Sequence, residues 1–126
     1  MPNFSAKTAA NVEDLGPVVD HNKELDGYTG SFLEMRETVD MTPILAGLPG
    51  GHCSCPHWGY VIEGQWTVKY ADREEVFEAG DAFYMSPGHV PVEVKAGTKT
   101  VMFSPTEELV ATDNAIKSFF ASQTTA

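Results

Sequence analysis

The residues best suited to chemistry lie together in the segment "GGHCSCPHWGY", which spans residues 50–60. Both cysteines of the chain and two of its four histidines fall within it, as His52, Cys53, Cys55 and His57. Thiolate and neutral imidazole are the ligands that Zn²⁺ prefers, in a tetrahedral arrangement. Side chains alternate along an extended chain, so Cys53, Cys55 and His57 would face one side and His52 the other. The spacing therefore predicts three metal ligands from this one segment.

A further ligand candidate is His89 in "MSPGHVP", where a Pro-Gly loop follows a predicted strand. Loops at such positions often carry functional residues. We therefore predict that Cys53, Cys55, His57 and His89 hold one divalent metal, with Zn²⁺ favoured over other ions. His21 lies in a weakly patterned region and is a poorer candidate.

Two other interpretations of the cysteines stay open. Cysteine is among the most buried residue types and often only fills space in a core. Alternatively, Cys53 or Cys55 could be a reactive thiolate activated by His57. The pattern marks neither an orienting carboxylate nor an oxyanion hole, so metal binding is the favoured interpretation.

Composition limits the partners of the protein. The chain of 126 residues has the length of one domain and is 42% hydrophobic, which favours a folded core. Its net charge of −10 argues against nucleic acid or an anionic membrane surface as a partner. No apolar run approaches the roughly 20 residues of a membrane span. The first residues lack the apolar core of a signal peptide, so we expect a cytoplasmic protein.

The strand pattern predicts an all-β domain. Short β-rich runs punctuated by Gly, Pro and Asp, with a turn at Glu63-Gly64, are typical of an antiparallel sandwich or barrel. We predict an N-terminal arm or short strands over residues 1–30, a barrel over residues 31–104, and a C-terminal helix and tail over residues 105–126. The helix should run from about Pro105 to Phe120 and pack over a barrel end.

Most aromatic side chains of the barrel region are expected to fill its core, because such side chains bury large apolar areas. These are Trp58, Tyr60, Trp66, Tyr70, Phe77, Phe83 and Tyr84.

The order of motifs between Gly51 and Ser104 resembles the cupin superfamily. "HWGYVIEGQWTV" is similar to the end of the first cupin motif, in which a ligand lies seven positions before a turn glycine, here Gly64. "FEAGDAFYMSPGHVPVEV" is similar to the second motif. The resemblance implies a double-stranded β-helix, or jelly-roll, barrel with a metal at its mouth. It also implies a homodimer, since such proteins often pair or exchange N-terminal strands.

The usual ligands of the first cupin motif, two histidines and a glutamate, are replaced here. The glutamate position holds His57. The second histidine position holds Cys53 at the shorter motif spacing or His52 at the longer one. The first histidine position falls on Gly51 or Gly50.

The histidine of the second cupin motif would fall on Pro91, two residues after His89. A shifted set of Cys53, His57 and His89, with Cys55, would therefore serve as the ligands. Thiolates in this set favour Zn²⁺ and disfavour O₂-activating Fe(II).

Two functions are consistent with this pattern. One is a metal-dependent enzyme acting on a small organic molecule by proton transfer, isomerisation, hydrolysis or oxidation. The other is a non-enzymatic metal- or ligand-binding cupin with a structural or sensing metal. Four protein ligands would close the site, whereas three would leave a position for water or substrate.

Overall fold

The structure, a computed structural model, describes residues 3–9 and 11–124. Residues 1, 2 and 10 of the predicted arm and residues 125–126 of the predicted tail lie outside this range. Within it the chain forms nine strands, two α-helices and a short 3₁₀ helix, and the strands and α-helices are numbered here in chain order. The strands are β1 (Asn11–Asp14), β2 (Val18–Leu25), β3 (Tyr28–Met35), β4 (His57–Glu63), β5 (Gln65–Lys69), β6 (Glu74–Glu78), β7 (Ala82–Met85), β8 (Val90–Val94) and β9 (Lys99–Pro105). The helices are α1 (Thr42–Leu45), the 3₁₀ helix Pro49–Gly51 and α2 (Thr106–Thr124).

The strands form two antiparallel sheets. The larger sheet has the order β1-β2-β3-β9-β4-β7, and the smaller has the order β6-β5-β8. This is the predicted all-β jelly-roll arrangement with a C-terminal helix. Residues in the predicted N-terminal arm form β1 and β2, which lie at one edge of the larger sheet.

Strand register determines which face of the larger sheet points inward. His57 is the first residue of β4 and is buried, so Trp58 and Tyr60 point outward. Trp58, Tyr60 and, on the neighbouring β7, Tyr84 are 43%, 45% and 48% exposed. The prediction that these three side chains fill the core is wrong, because His57 points inward and side chains alternate along β4, and Tyr84 pairs with Trp58 on the same face.

The core between the sheets contains the other predicted aromatic residues. Trp66, Tyr70 and Phe83 are buried, and Phe77 stacks on Phe83 with ring centroids 5.1 Å apart. The indole N–H of Trp66 donates to the Thr100 hydroxyl at 2.8 Å, which joins the two sheets through a buried polar contact. This contact satisfies a polar group that would otherwise be costly to bury.

Helix α2 packs against α1 and β9. Leu109 and Phe120 are buried against Ile44 and Leu45 of α1, in one apolar cluster that also contains Cys53 and Cys55. The predicted helix is confirmed, although it begins one residue later and ends four residues later than expected. No described helix is both long and apolar enough to cross a membrane.

The predicted turn between β4 and β5 depends on Gly64. Its φ of 87° lies in the left-handed region, and an added Cβ would collide with Thr98. Only glycine meets both demands without strain.

Candidate metal centre

Three buried side chains bring their ligand atoms together beneath α2. One ligand atom each from Cys53, His57 and His89 lies within 4.8 Å of the others, and the three residues are 1–5% exposed. Three of the four predicted ligands therefore converge on one point.

Backbone pairing positions two of these residues. The Cys53 N–H donates to the His89 carbonyl at 2.9 Å, and the Gly88 N–H donates to the Cys53 carbonyl at 2.8 Å. This isolated bridge joins the loop before β4 to the loop before β8. The φ of 97° at Gly88 allows the chain to turn there.

Each histidine is oriented by a contact on its Nδ1 side. His89 Nδ1 donates to the Ser86 carbonyl at 2.7 Å, and His57 Nδ1 lies 2.6 Å from the Ser104 hydroxyl. With the proton on Nδ1, the Nε2 atom of each ring is free to bind a metal. This arrangement is typical of metal-ligating histidines.

One pair of these ligand atoms has the separation expected around a bound divalent ion. The Cys53 Sγ atom lies 3.5 Å from His57 Nε2. Zinc bonds of about 2.0–2.3 Å at tetrahedral angles require ligand atoms about 3.3–3.8 Å apart. The chemistry of the donors and this distance both suit a small divalent ion.

Both imidazoles are held neutral, which is the form that binds metal. Burial, with a smaller contribution from His89, lowers the pKa of His57 to about 3. Burial also lowers the pKa of His89, and the nearby His52 adds to this, while the bond to the Ser86 carbonyl opposes it. Neither ring therefore needs to lose a proton near neutral pH.

The thiol pKa values argue against the reactive-thiolate interpretation. Burial raises the pKa of Cys53, although the Thr112 hydroxyl at 3.1 Å opposes this shift. Burial and the neighbouring Cys53 raise the pKa of Cys55 to about 12. A neutral His57 and two protonated thiols do not make a nucleophile, whereas a bound cation would stabilise the Cys53 thiolate.

Cys55 and His52 lie outside the converging group. Cys55 Sγ lies 3.4 Å from the Pro56 carbonyl and 4.0 Å from the Pro105 carbonyl, and the residue is 1% exposed. No regular strand connects Cys53 to His57, so the strict alternation assumed for this segment does not hold. A ligand role for Cys55 stays a sequence prediction without geometric support. His52 Nδ1 is buried and has no hydrogen-bond partner among the described residues.

A cavity of about 100 Å³ adjoins the cluster. Cys53, His57 and His89 line it together with side chains from both sheets and α2, most of them apolar. No sequence pattern indicated the supporting groups on Ser86, Ser104 and Thr112. They act through single hydroxyl or carbonyl contacts that only the tertiary structure brings into place.

Comparison with known proteins supports the fold. No family model matches the sequence, and no curated protein matches it. An RmlC-like cupin from Shewanella frigidimarina is similar in structure, with a TM-score of 0.54 over 83% of this chain and 92% of that chain at 18% identity. The chain has a cupin fold.

Two further solved structures are similar to this chain. Ectoine synthase from P. lautus has a TM-score of 0.56 over 83% of this chain and 78% of its own, at 10% identity. A Rhizobium leguminosarum protein of unknown function has a TM-score of 0.56 over 82% of this chain and 94% of its own, at 14% identity. The resemblance predicted from the motifs is confirmed at the level of the fold.

Proposed function

We propose that this cupin binds a divalent metal, with Zn²⁺ preferred, through Cys53, His57 and His89. The metal would act on a small organic molecule in the adjoining cavity. The observation that carries the proposal is that three buried ligand atoms meet at the wall of this cavity. Three protein ligands leave the fourth tetrahedral position to water or substrate.

Several residues of the chain would have distinct roles at such a metal site. A bound divalent ion supplies a Lewis acid and lowers the pKa of coordinated water. The Ser86 carbonyl and the Ser104 hydroxyl would orient the two imidazoles, and the Thr112 hydroxyl would donate to a Cys53 thiolate. The apolar wall of the cavity excludes bulk water, which strengthens electrostatic interactions inside. A Cys-ligated site also needs reduced thiols, which is the reason to propose the cytoplasm as its compartment.

Metal analysis of variants tests the ligand set. Protein purified without added metal is analysed for zinc, and the Co²⁺-substituted form is examined for thiolate-to-cobalt absorption bands. We expect Cys53→Ser, His57→Ala and His89→Ala each to lose the metal. Cys55→Ser and His52→Ala are matched controls that should keep it. Loss in His52→Ala with retention in Cys53→Ser would instead indicate the longer cupin spacing.

The coordination number separates the enzyme from the non-enzymatic alternative. Adding azide or imidazole to the Co²⁺ form should shift its visible bands if a position is open. Unchanged bands, together with metal loss in Cys55→Ser, would show four protein ligands. That result would favour a structural metal over a catalytic one.

We also propose that the protein is a homodimer joined through the outer face of the larger sheet. Five aromatic side chains on this face are 39–48% exposed: Tyr28, Trp58, Tyr60, Tyr84 and Phe103. Exposed apolar patches of this kind mark interaction sites, and aromatic residues are enriched in them. The five side chains carry no charge, so two acidic copies can meet there without like-charge contact. Light scattering measures the mass, and a monomer would contradict this proposal.

A further inference from the structure

The cavity has a second polar region, formed by β1, β2 and α2. Glu13, Asp20, Asp113 and Lys117 all line it, and we call these four residues the acidic wall. Strand register explains part of the arrangement, because Glu13 pairs with Asp20 across β1 and β2. Asp20 in turn pairs with Leu33 on the inner face of the sheet.

The charges of the acidic wall are not balanced. Lys117 Nζ lies 3.0 Å from Glu13 Oε2 and forms an ion pair with it. Among the ion pairs of the described residues, none reaches Asp20 or Asp113. Lys117 is close enough to attract Asp113 and Asp20 as well, yet this one lysine faces three carboxylates, so the acidic wall carries excess negative charge.

Asp20 also has an unmet hydrogen-bonding need. Its Oδ1 atom is shielded from solvent and has no hydrogen-bond partner among the described residues. A buried polar atom without a partner is unusual and indicates a missing donor. A carboxylate only accepts, so the missing group carries an N–H or O–H.

The rest of the cavity sets the size and character of a ligand. Most of its lining is aliphatic or thioether side chain, including Leu33, Met35, Met102 and Ile116. One water needs on the order of 10–15 Å³ by this measure, so a cavity of about 100 Å³ holds roughly seven to ten non-hydrogen atoms.

We propose that the cavity binds a small protonated organic amine, with its ammonium group against Asp20 and Asp113 and its apolar body along the aliphatic lining. An ammonium group supplies both the missing donors and the missing positive charge, whereas a hydroxyl supplies only a donor. The part of the proposal that places the other end of the ligand at the metal rests on the proposed function. The ammonium end depends only on the acidic wall.

Calorimetric titration with three probes of nearly equal size tests the ligand class. Zinc-loaded protein of verified metal content is titrated with pentylammonium, 1-pentanol and pentanoate at a pH near 7.5. We expect pentylammonium to bind at least about tenfold more tightly than 1-pentanol, since a charged hydrogen bond is the stronger contact. Pentanoate should not bind to the acidic wall.

Variants separate this proposal from the metal proposal. Asp20→Asn and Asp113→Asn should each weaken pentylammonium binding about tenfold and leave the zinc content unchanged. Glu24→Gln, which removes an exposed carboxylate on the same strand as Asp20, should change neither. Equal affinity for 1-pentanol and pentylammonium, or no pentylammonium binding by correctly folded protein, would overturn the proposal.

Failure of the metal proposal gives a different result from failure of the amine proposal. If the purified protein holds no zinc and takes none up, but Asp20-dependent amine binding persists, the acidic wall is correctly assigned and the metal proposal fails. If zinc binds and the amine does not, only the amine proposal fails.

Discussion

The charge of Asp20 should destabilise the folded protein at neutral pH, and Asp20→Asn measures the effect. Burial is the main reason that the pKa of Asp20 rises from 3.8 to about 6, and repulsion from Asp113 and Glu13 adds to the rise. The polar side chains of Asn22 and Ser31 nearby favour the ionised form and oppose the rise. The folded state therefore holds the proton more tightly than the unfolded state does.

The sign and size of this effect on the unfolding free energy follow from the linkage between proton binding and folding. Between pH 3.8 and about 6 the folded state binds more protons, so the contribution of Asp20 to stability falls as pH rises through this range. With these two pKa values, the ionised carboxyl makes the folded state less stable by about 2 kcal/mol at a pH near 7.5 than at one near 4.5. Asparagine does not titrate. The difference in unfolding free energy, variant minus wild type, should therefore increase by about 2 kcal/mol over this interval.

Urea unfolding of metal-free protein, followed by tryptophan fluorescence at both pH values, gives this difference. The buried histidines titrate in both proteins, so their contributions cancel. Glu24→Gln is the matched control, because Glu24 is exposed and its replacement should give no such change. A difference that stays constant, or that decreases as pH rises, would refute the assignment of a buried, charge-repelled carboxyl at Asp20.

Four further outcomes are expected. Zinc binding should release about one proton, from the Cys53 thiol, because both imidazoles are already neutral. Calorimetry in buffers of different ionisation enthalpy measures the number of protons released, and a count of three would contradict the neutral rings. Ser104→Ala should keep the fold and weaken zinc affinity about 10-fold to 100-fold, since it frees the His57 ring, and competition with a chelator measures this. Gly59→Ala should lower the unfolding free energy by about 1–3 kcal/mol, because the added methyl meets the Val101 carbonyl and neighbouring inward side chains. Trp58→Ser should shift the protein toward monomer in light scattering without reducing its zinc content.

The sequence predicted the fold well because its signals are local. Strand punctuation, the turn at Gly64 and the apolar stripe of α2 all depend on neighbouring residues. The sequence also predicted that Cys53, His57 and His89 share one site, because the Pro-Gly loop before His89 indicated a change in the direction of the chain.

Tertiary effects explain what the sequence could not predict. Trp58 and Tyr84 have large aromatic side chains, yet they point outward. His57 is buried, so its neighbour Trp58 faces the other side of β4, and Tyr84 pairs with Trp58 on that side. Cys55 leaves the cluster because the chain between the two ligands is not a strand. No local pattern singles out Asp20, and only the tertiary structure places it with residues of α2 in the lining of one cavity.

The bridge between Cys53 and His89 has a consequence for motion. His57 belongs to the larger sheet, whereas His89 directly precedes β8 of the smaller one. The two sheets have separate ladders of backbone hydrogen bonds. An ion bound by both histidines would therefore add a link between the two sheets. The same ion that polarises a ligand would then limit how far the layers part. Metal loading and ligand entry would thus be coupled, and the loaded protein would both admit and release its ligand more slowly.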